Sequence, residues 1–334
     1  MIFDGYSFEE TSCDLTSIPR AAVDQAIFTI GWEDRAEALL KSGAITGEHA
    51  YCVRFDGDGV ENSKVSSFIA EAKKNFQKVD LITLGSALDK LSWEGSLEKF
   101  VTGTMAEAPG YSVFIDYTCM PKAITQTLYR MLLKRTNYPK TFWGYCEGKY
   151  EASIGNVQFD QGLSGKFFPI RFTPGKGGTS NERALILALG GDPKLIFTLL
   201  EQADRDHIYV LTASAPSSAE LFHTAHDQKS RLMREFHVPQ GNFVEANAAS
   251  VNNCLGKYLS IVRALPKACA IEIFCSGPKS HAVAACAIAE KFSDTVSLLG
   301  RTPLEYSRHN VPASGPVSIS TVTNFCNPDV RQIL

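Results

Sequence analysis

Short apolar runs alternate with longer amphipathic stretches along this chain of 334 residues. The runs are rich in β-branched and aromatic residues, whereas apolar positions in the longer stretches recur with the period of an α-helix. Parallel strands are joined by helices that cover the faces of their sheet, so this alternation predicts an α/β fold with doubly wound parallel sheets.

The alternation falls into two halves. The first half is predicted to hold strands near residues 26–30, 50–55, 79–84, 111–116 and 141–145, with helices near 34–42, 62–77, 88–107 and 121–136. The second is predicted to hold strands near 183–189, 207–212, 242–245, 269–275 and 295–299, with helices near 192–203, 217–235, 248–265 and 279–291. Residues 146–182, which include seven glycines, are predicted to form a Gly-rich linker or a hairpin of their own. We therefore expect two tandem Rossmann-like domains, residues 1–145 and 183–334.

The two halves share a finer layout. In each, the first strand ends in a glycine turn, and a later strand ends in a turn with Pro-Lys at the start of the next helix. Gly31 precedes Pro121 by 90 residues, and Gly190 precedes Pro278 by 88 residues. This match favours an internal duplication, with two unrelated Rossmann-like halves as the alternative.

The shared turns have the composition of an anion site. They lie at the carboxyl ends of parallel strands, where open α/β sheets bind ligands, and they lead into helix N-termini, whose amides and dipole attract anions. Lys122 and Lys279 add a cation, while Gly190, Gly191 and Gly277 allow a ligand close to the backbone. The pattern indicates a site for the phosphate of a nucleotide; the alternative is a pair of tight βα turns with solvated lysines.

Two groups of side chains are candidate catalysts. Ser276, Lys279 and His281 surround one helix N-terminus, where a hydroxyl or an amine can orient a ribose hydroxyl against its own phosphate. Asp116, at the end of the equivalent strand in the first half, lies near Lys122 and is suited to bind a ribose or to act as a base. Simple ligand binding is the alternative for both groups.

Composition and motifs exclude several classes of protein. The chain has 33 basic and 36 acidic residues, which argues against an extensive nucleic-acid surface. The first ten residues are too polar for a signal peptide, and no apolar run is long enough to predict a membrane span. The nine cysteines are odd in number and form no CxxC pair, so we expect reduced thiols in a cytoplasmic protein without a metal site. No GxGxxG follows either first strand, so no dinucleotide cofactor is predicted.

The second half, roughly 183–325, resembles the CARF domain (CRISPR-associated Rossmann fold) and related sensor domains of prokaryotic defence systems. The resemblance rests on Leu189-Gly190-Gly191-Asp192-Pro193 after one strand and on Ser276-Gly277-Pro278-Lys279 after another, which is similar to the family's Gly-x-Lys signature. It implies that the two turns hold a cyclic oligoadenylate or a similar second messenger. The ligand-binding positions that the layout and the resemblance indicate are Gly31, Trp32, Pro121, Lys122, Gly190, Gly191, Ser214, Ser276, Gly277, Lys279, Tyr306 and Asn310. Tyr306 and Asn310 are expected to cover a base.

The chain departs from the family in two respects. In the first half, Asp116 and Cys119 replace small residues, so that pocket is expected to be degenerate or specialised. Members of the family usually carry an effector domain, whereas only residues 326–334 follow the second half here. The resemblance therefore implies a cytoplasmic nucleotide sensor or accessory protein that acts through a protein partner or a homo-oligomer. A nucleotide-processing enzyme, either phosphodiesterase-like or a glycosidic-bond hydrolase, and a non-catalytic scaffold subunit remain the alternatives.

Overall fold

The fold comprises two compact units, of which residues 1–149 with 308–334 form the first and residues 150–307 form the second. The computed structural model describes residues 2–3, 6–105, 112–133, 140–149, 166–170, 181–190, 193–201, 205–214, 219–303 and 310–324. The second unit is thus inserted between two segments of the first along the chain.

The first unit is built on an eight-stranded sheet. Its strands are Ile2–Phe3 (β1), Tyr6–Asp14 (β2), Ala21–Thr29 (β3), Ile45–Phe55 (β4), Phe76–Leu84 (β5), Ser112–Asp116 (β6), Lys140–Gly148 (β7) and Ala313–Asn324 (β14). They are ordered β1-β2-β14-β7-β6-β3-β4-β5. The five from β7 to β5 are parallel, whereas β14 pairs antiparallel with β7 and β2.

The helices of the first unit follow the parallel strands in turn. They are Ala38–Lys41 (α1), which continues a 3₁₀ turn at Asp34–Glu37, Asn62–Asn75 (α2), Lys90–Lys99 (α3), which continues into a π-helical turn at Phe100–Thr104, and Lys122–Leu133 (α4). The core centres on Phe28, whose ring lies 5.7 Å from that of Phe76 and 5.9 Å from that of Phe114. Large rings from β6, β3 and β5 thus fill the space under α1 and α2.

The second unit repeats this plan on a six-stranded sheet. Its strands are Lys166–Pro169 (β8), Arg183–Ala188 (β9), His207–Ser214 (β10), Phe243–Asn247 (β11), Ala270–Cys275 (β12) and Val296–Thr302 (β13), ordered β11-β10-β9-β12-β13-β8. Its helices are Pro193–Glu201 (α5), Ala219–Glu235 (α6), Val251–Ala264 (α7) and Lys279–Lys291 (α8). Among the strands described in this sheet, β8 alone is antiparallel to its neighbour.

Each sheet therefore has the same parallel core. Numbered within its own unit, the strand order is 3-2-1-4-5 in both, which is the order of a Rossmann-like fold. The predicted α/β class is confirmed, and each of the ten predicted strands overlaps a strand of the structure. The equal order in the two units agrees with the duplicated layout seen in the sequence.

The structure corrects the predicted extent of the domains. Residues 313–324, expected in the second domain, form β14 between β2 and β7 of the first sheet. Residues 146–148, expected in the linker, complete β7, and residues 166–169 of that stretch form β8 beside β13. These strands pair antiparallel at the sides of the sheets with partners distant in sequence, so they lie outside the alternation that predicted the halves.

Candidate functional site

The two predicted turns of the second unit meet at one point. After β9 the chain continues through Leu189 to Gly190, and after β12 it continues through Ser276 and Gly277 to Pro278. The amides of Ser276 and Gly277 donate hydrogen bonds to the carbonyl oxygen of Ala188, at 3.0 and 2.9 Å, and the hydroxyl of Ser276 donates to the same oxygen at 2.9 Å. Three donors on one carbonyl thus hold the turns together.

Both glycines are required by this contact. A Cβ atom at Gly190 would lie 2.0 Å from the carbonyl oxygen of Ser276, and one at Gly277 would lie 2.3 Å from that of Leu189. Backbone therefore lies directly against backbone where the strand order reverses, with β10 and β12 on opposite sides of β9. Open α/β sheets bind their ligands in the crevice at this switch point.

Other predicted residues lie at the same edge of the second sheet. Ser214 ends the neighbouring strand β10, and Lys279 begins helix α8; both are half-buried, as is Ser276. Helix α8 has Pro278 at its N-cap and no side-chain hydrogen bond to that cap. The amides of its first turn thus start beside the Ser276–Gly277 turn, as an anion site requires.

His281 does not join Ser276 and Lys279 at this edge. Its side chain is completely buried, and its Nε2 lies 3.3 Å from the carbonyl oxygen of Asn247. Ser280 is also completely buried and donates to the carbonyl oxygen of Ala248 at 2.5 Å. Both side chains fasten α8 to the loop after β11, which is a structural role.

Gln228 contacts the Gly190 turn, and no sequence pattern indicates it. It lies on α6, is 2% exposed, and its Nε2 donates to the carbonyl oxygen of Gly190 at 2.6 Å. A glutamine in a polar helical stretch gives no sequence signal, because only the packing of the helix decides whether the side chain faces solvent or a turn.

The equivalent turns of the first unit are also close together. A Cβ atom at Gly31 would lie 3.0 Å from the Cβ of Cys119, in the turn before Pro121 and Lys122. Lys64, on α2, donates from Nζ to the carbonyl oxygen of Trp32 at 2.7 Å. In each unit, the turn after the first parallel strand (β3 or β9) is therefore held by a side chain from the helix that follows the second parallel strand (β4 or β10).

The first unit covers its own turn with the chain that returns from the second unit. Asn310, expected to cover a base in the second half, instead pairs with Asp34 of the first unit: its Oδ1 accepts from the Asp34 amide at 2.8 Å, and its Nδ2 donates to the Asp34 carboxylate at 2.6 Å. One residue further along in both segments, the Arg35 amide donates to the carbonyl oxygen of Val311 at 3.3 Å. This corrects the predicted position of Asn310, because the segment that carries it leads into β14.

Arg35 is a second residue that the sequence analysis did not single out. Its guanidinium is buried, forms an ion pair with Glu33, and lies 3.5 Å from the hydroxyl of Tyr145. A Cβ atom at Gly148 would lie 2.6 Å from Nη1 of Arg35, so that glycine makes room for the guanidinium. This charged cluster stabilises the turn internally.

Asp116 is sealed within the first unit. It is 1% exposed, and its Oδ1 accepts from the amide of Thr118 at 2.9 Å. The Thr118 hydroxyl in turn accepts from the amide of Cys146 at 3.0 Å. Burial raises the pKa of the Cys146 thiol to about 12, and the Asp116 carboxylate contributes to that rise while Arg35 opposes it. The carboxylate organises the turn after β6.

Two of the predicted ligand-binding residues, Gly191 and Tyr306, lie outside the described residues. Within the described ranges, no group of three or more His, Cys, Asp or Glu side chains is placed to hold a metal ion. Over the same ranges, no helix is long and apolar enough to cross a membrane.

A shallow cavity lies at the opposite edge of the first sheet. Its volume is about 590 Å³, and it is lined by residues 22–24, 46–48 and 74–77. The carboxylate of Asp24 there accepts from the amide and the hydroxyl of Ser112, both at 2.8 Å. This cavity is at the amino ends of β3 and β4, away from the carboxyl ends that bind ligands in such sheets.

Comparisons with known proteins leave the family open. No family model matches the chain, and no curated protein matches it. A putative universal stress protein from Pseudomonas aeruginosa UCBPP-PA14 is 11% identical, with a TM-score of 0.24, over 83% of this chain and 92% of that chain. The cytoplasmic domain of a prokaryotic cation chloride cotransporter is 10% identical, with a TM-score of 0.26, over 86% and 99%. A universal stress protein from Archaeoglobus fulgidus DSM 4304 is 8% identical, with a TM-score of 0.23, over 83% and 95%. Superpositions this loose carry no argument about ligand or activity, and the resemblance to the CARF family stays a prediction.

Proposed function

We propose that this chain is a cytoplasmic nucleotide-binding sensor or accessory protein of a prokaryotic defence or stress pathway. The proposed ligand is an anionic nucleotide or cyclic oligonucleotide second messenger, held at the paired turns of the second unit. The proposed output runs through a protein partner or a change of oligomeric state.

The observation that carries the proposal is the contact between the Gly190 turn and the Ser276–Gly277 turn. It lies at the switch point of the parallel strands, whose order is 3-2-1-4-5, and it brings the N-terminus of α8 to the carboxyl end of β9. An anion there would meet the positive end of the α8 dipole together with Lys279, which begins the helix.

The second unit is a better candidate than the first because the residues of its turns are more exposed to solvent. Ser276, Lys279 and Gly190 are half-buried, whereas Asp116 is 1% exposed and Asn310 is bonded to Asp34. The carboxylates of Glu33 and Asp34 also lie in the first unit's turn, where they would repel an anion. We therefore assign the first unit a supporting role.

The experiment compares two lysines at matched positions. Lys279 and Lys122 each follow a proline and each begin the helix after the fourth parallel strand. Titration calorimetry with ATP, cyclic diadenylate and a cyclic triadenylate is expected to show binding that Lys279→Ala weakens by about tenfold or more, while Lys122→Ala leaves it unchanged. Equal affinity in wild type and Lys279→Ala, with both variants folded by circular dichroism, would refute the site.

The catalytic roles of Ser276, Lys279 and Asp116 stay predictions. Chromatography of the same nucleotides after incubation with the protein tests them, since a ring-opened or hydrolysed product would indicate an enzyme. Native mass spectrometry of the protein purified from its host tests for a retained nucleotide and a stable partner in one measurement.

A further inference from the structure

The side-chain amide of Gln228 is held in one orientation beside the Gly190 turn. Its Nε2 donates to the Gly190 carbonyl oxygen at 2.6 Å. Exchanging the two ends of the amide would place Oε1 at that distance from another acceptor, which is repulsive. The contact therefore fixes Oε1 as the end that is directed away from the carbonyl.

Oε1 of Gln228 is a buried acceptor without a hydrogen-bond partner in the described part of the chain. Gln228 as a whole is 2% exposed, so this acceptor is out of contact with bulk solvent. Buried acceptors in folded proteins nearly always have a donor, and an exception requires an explanation.

Fastening the turn does not explain the acceptor. In the first unit Lys64 holds the corresponding turn through the carbonyl oxygen of Trp32 at 2.7 Å, and an ammonium group has donors only. A donor is thus sufficient for this task, yet the second unit has an amide. The acceptor half of that amide is surplus to the structural role.

We propose that Gln228 is a specificity-determining residue whose Oε1 accepts a hydrogen bond from a ribose hydroxyl of the bound nucleotide. The inference rests on the nucleotide site proposed above. The Gly190 turn contacts the Ser276–Gly277 turn, which leads into the N-terminus of α8, so an acceptor beside Gly190 is close to the phosphate position. In a nucleotide, the donor nearest to a phosphate is a hydroxyl of the attached ribose. Because Oε1 is buried, we expect the ribose hydroxyl to reach it only with a local rearrangement around the Gly190 turn.

The test measures a ratio of affinities for the full-length protein. The probes are ATP and a cyclic triadenylate, each with its 2′-deoxy counterpart, and for ATP also the 3′-deoxy counterpart. Wild type is expected to bind the ribose form about tenfold more tightly than the deoxy form that lacks the contacted hydroxyl, which is the effect of one hydrogen bond. Gln228→Lys keeps a donor for Gly190 but removes the acceptor, and it is expected to reduce this preference to about twofold or less.

Two further variants separate specificity from folding. Gln228→Met removes both ends of the amide and is expected to lose the same preference, while Gln240→Met, at an exposed glutamine of the same unit, is expected to keep it. A general weakening of the site would lower the affinity for ribose and deoxy probes equally and leave the ratio unchanged.

The outcomes distinguish the inference from the proposed function. Binding by wild type with no preference for a ribose form, or a preference that survives in Gln228→Lys and Gln228→Met, overturns the role of Gln228 and leaves the nucleotide site standing. If wild type binds none of the probes, the proposed function is overturned, and the inference with it.

Discussion

Replacing Gly190 by alanine is the most direct test of the contact between the two turns. The added Cβ would lie 2.0 Å from the carbonyl oxygen of Ser276, 2.4 Å from its carbonyl carbon and 2.8 Å from the amide nitrogen of Gly277. All three neighbours are backbone atoms, so no side-chain rotation can relieve the overlap. The turns must move apart by about 1 Å or more to reach ordinary van der Waals contact.

The cost of this movement follows from the bonds that it breaks. The turns are joined by three hydrogen bonds to the Ala188 carbonyl oxygen, of 3.0, 2.9 and 2.9 Å. At about 1 kcal/mol each, their loss destabilises the second unit by about 3 kcal/mol. The cost known for forcing a methyl group into a packed interior, about 1–3 kcal/mol, is an alternative estimate of the same size and is not added to it. For a unit of this size, 3 kcal/mol lowers the melting temperature by roughly 6–12 °C.

The assay is thermal unfolding followed by circular dichroism, with two control glycines. A Cβ at Gly241 meets no atom within 4 Å, so Gly241→Ala is expected to unfold within about 2 °C of wild type. At Gly31 the nearest atom is the Cβ of Cys119 at 3.0 Å, so the melting temperature of Gly31→Ala is expected to lie between those of Gly190→Ala and Gly241→Ala. If Gly190→Ala unfolded at the same temperature as Gly241→Ala, the close backbone contact would be refuted.

Two further predictions concern titratable groups in the first unit. Burial raises the pKa of the Cys52 and Cys146 thiols to about 12, so both thiols are expected to be unreactive towards a disulfide reagent at pH 8 in the native protein. Cys52→Ser and Cys146→Ser should therefore each leave the number of reactive thiols unchanged in the native protein and lower it by one in denaturant. A loss of one reactive thiol in the native state would contradict this. Burial would raise the pKa of Asp80, but hydrogen bonds from His49 and Lys78 outweigh it and hold that pKa below its ordinary value of 3.8. The stabilisation by Asp80 is thus present above pH 4 and is lost as pH falls through the lowered pKa, so Asp80→Asn is expected to lower the urea midpoint more at pH 7 than at pH 2.5. An equal loss at both pH values would refute the ionic role.

The parallel core could be predicted from the sequence because its signal is local. A buried parallel strand is a continuous apolar run, as in residues 26–30 and 183–189, and the intervening helices carry their own periodicity. The outer antiparallel strands have weaker patterns. β2 contains Glu9, Glu10 and Thr11, and β14 contains Gly315 and Pro316, so neither forms an apolar run. The β-branched residues of 317–323 indicate a strand, but nothing local indicates that it belongs to the first sheet.

Of the candidate site, the turns were predictable and their partners were not. Gly190 and Gly277 stand out because a glycine after a strand permits close approach of backbone, and the structure places them in contact. His281 has the same local sequence environment as Lys279, yet helical geometry turns it into the interior, where it meets Asn247. Gln228 and Asn310 reach their turns from elements distant in sequence, and no pattern within 20 residues of either turn encodes that contact.

The two units fasten the corresponding turn with different kinds of group. The first fastens its turn with charged groups, since Lys64 contacts Trp32 and lies 3.6 Å from the carboxylate of Asp34, and Arg35 pairs with Glu33. An anion entering there would have to displace a carboxylate from its partner. In the second unit, the amides of Ser276 and Gly277 and the Ser276 hydroxyl donate to the Ala188 carbonyl oxygen. The side-chain amide of Gln228 donates to that of Gly190, so all of these groups are neutral. Among the described residues that fasten this turn there is no carboxylate to compete with an anion for the dipole of α8, and we expect the second unit to be the binding unit for this reason.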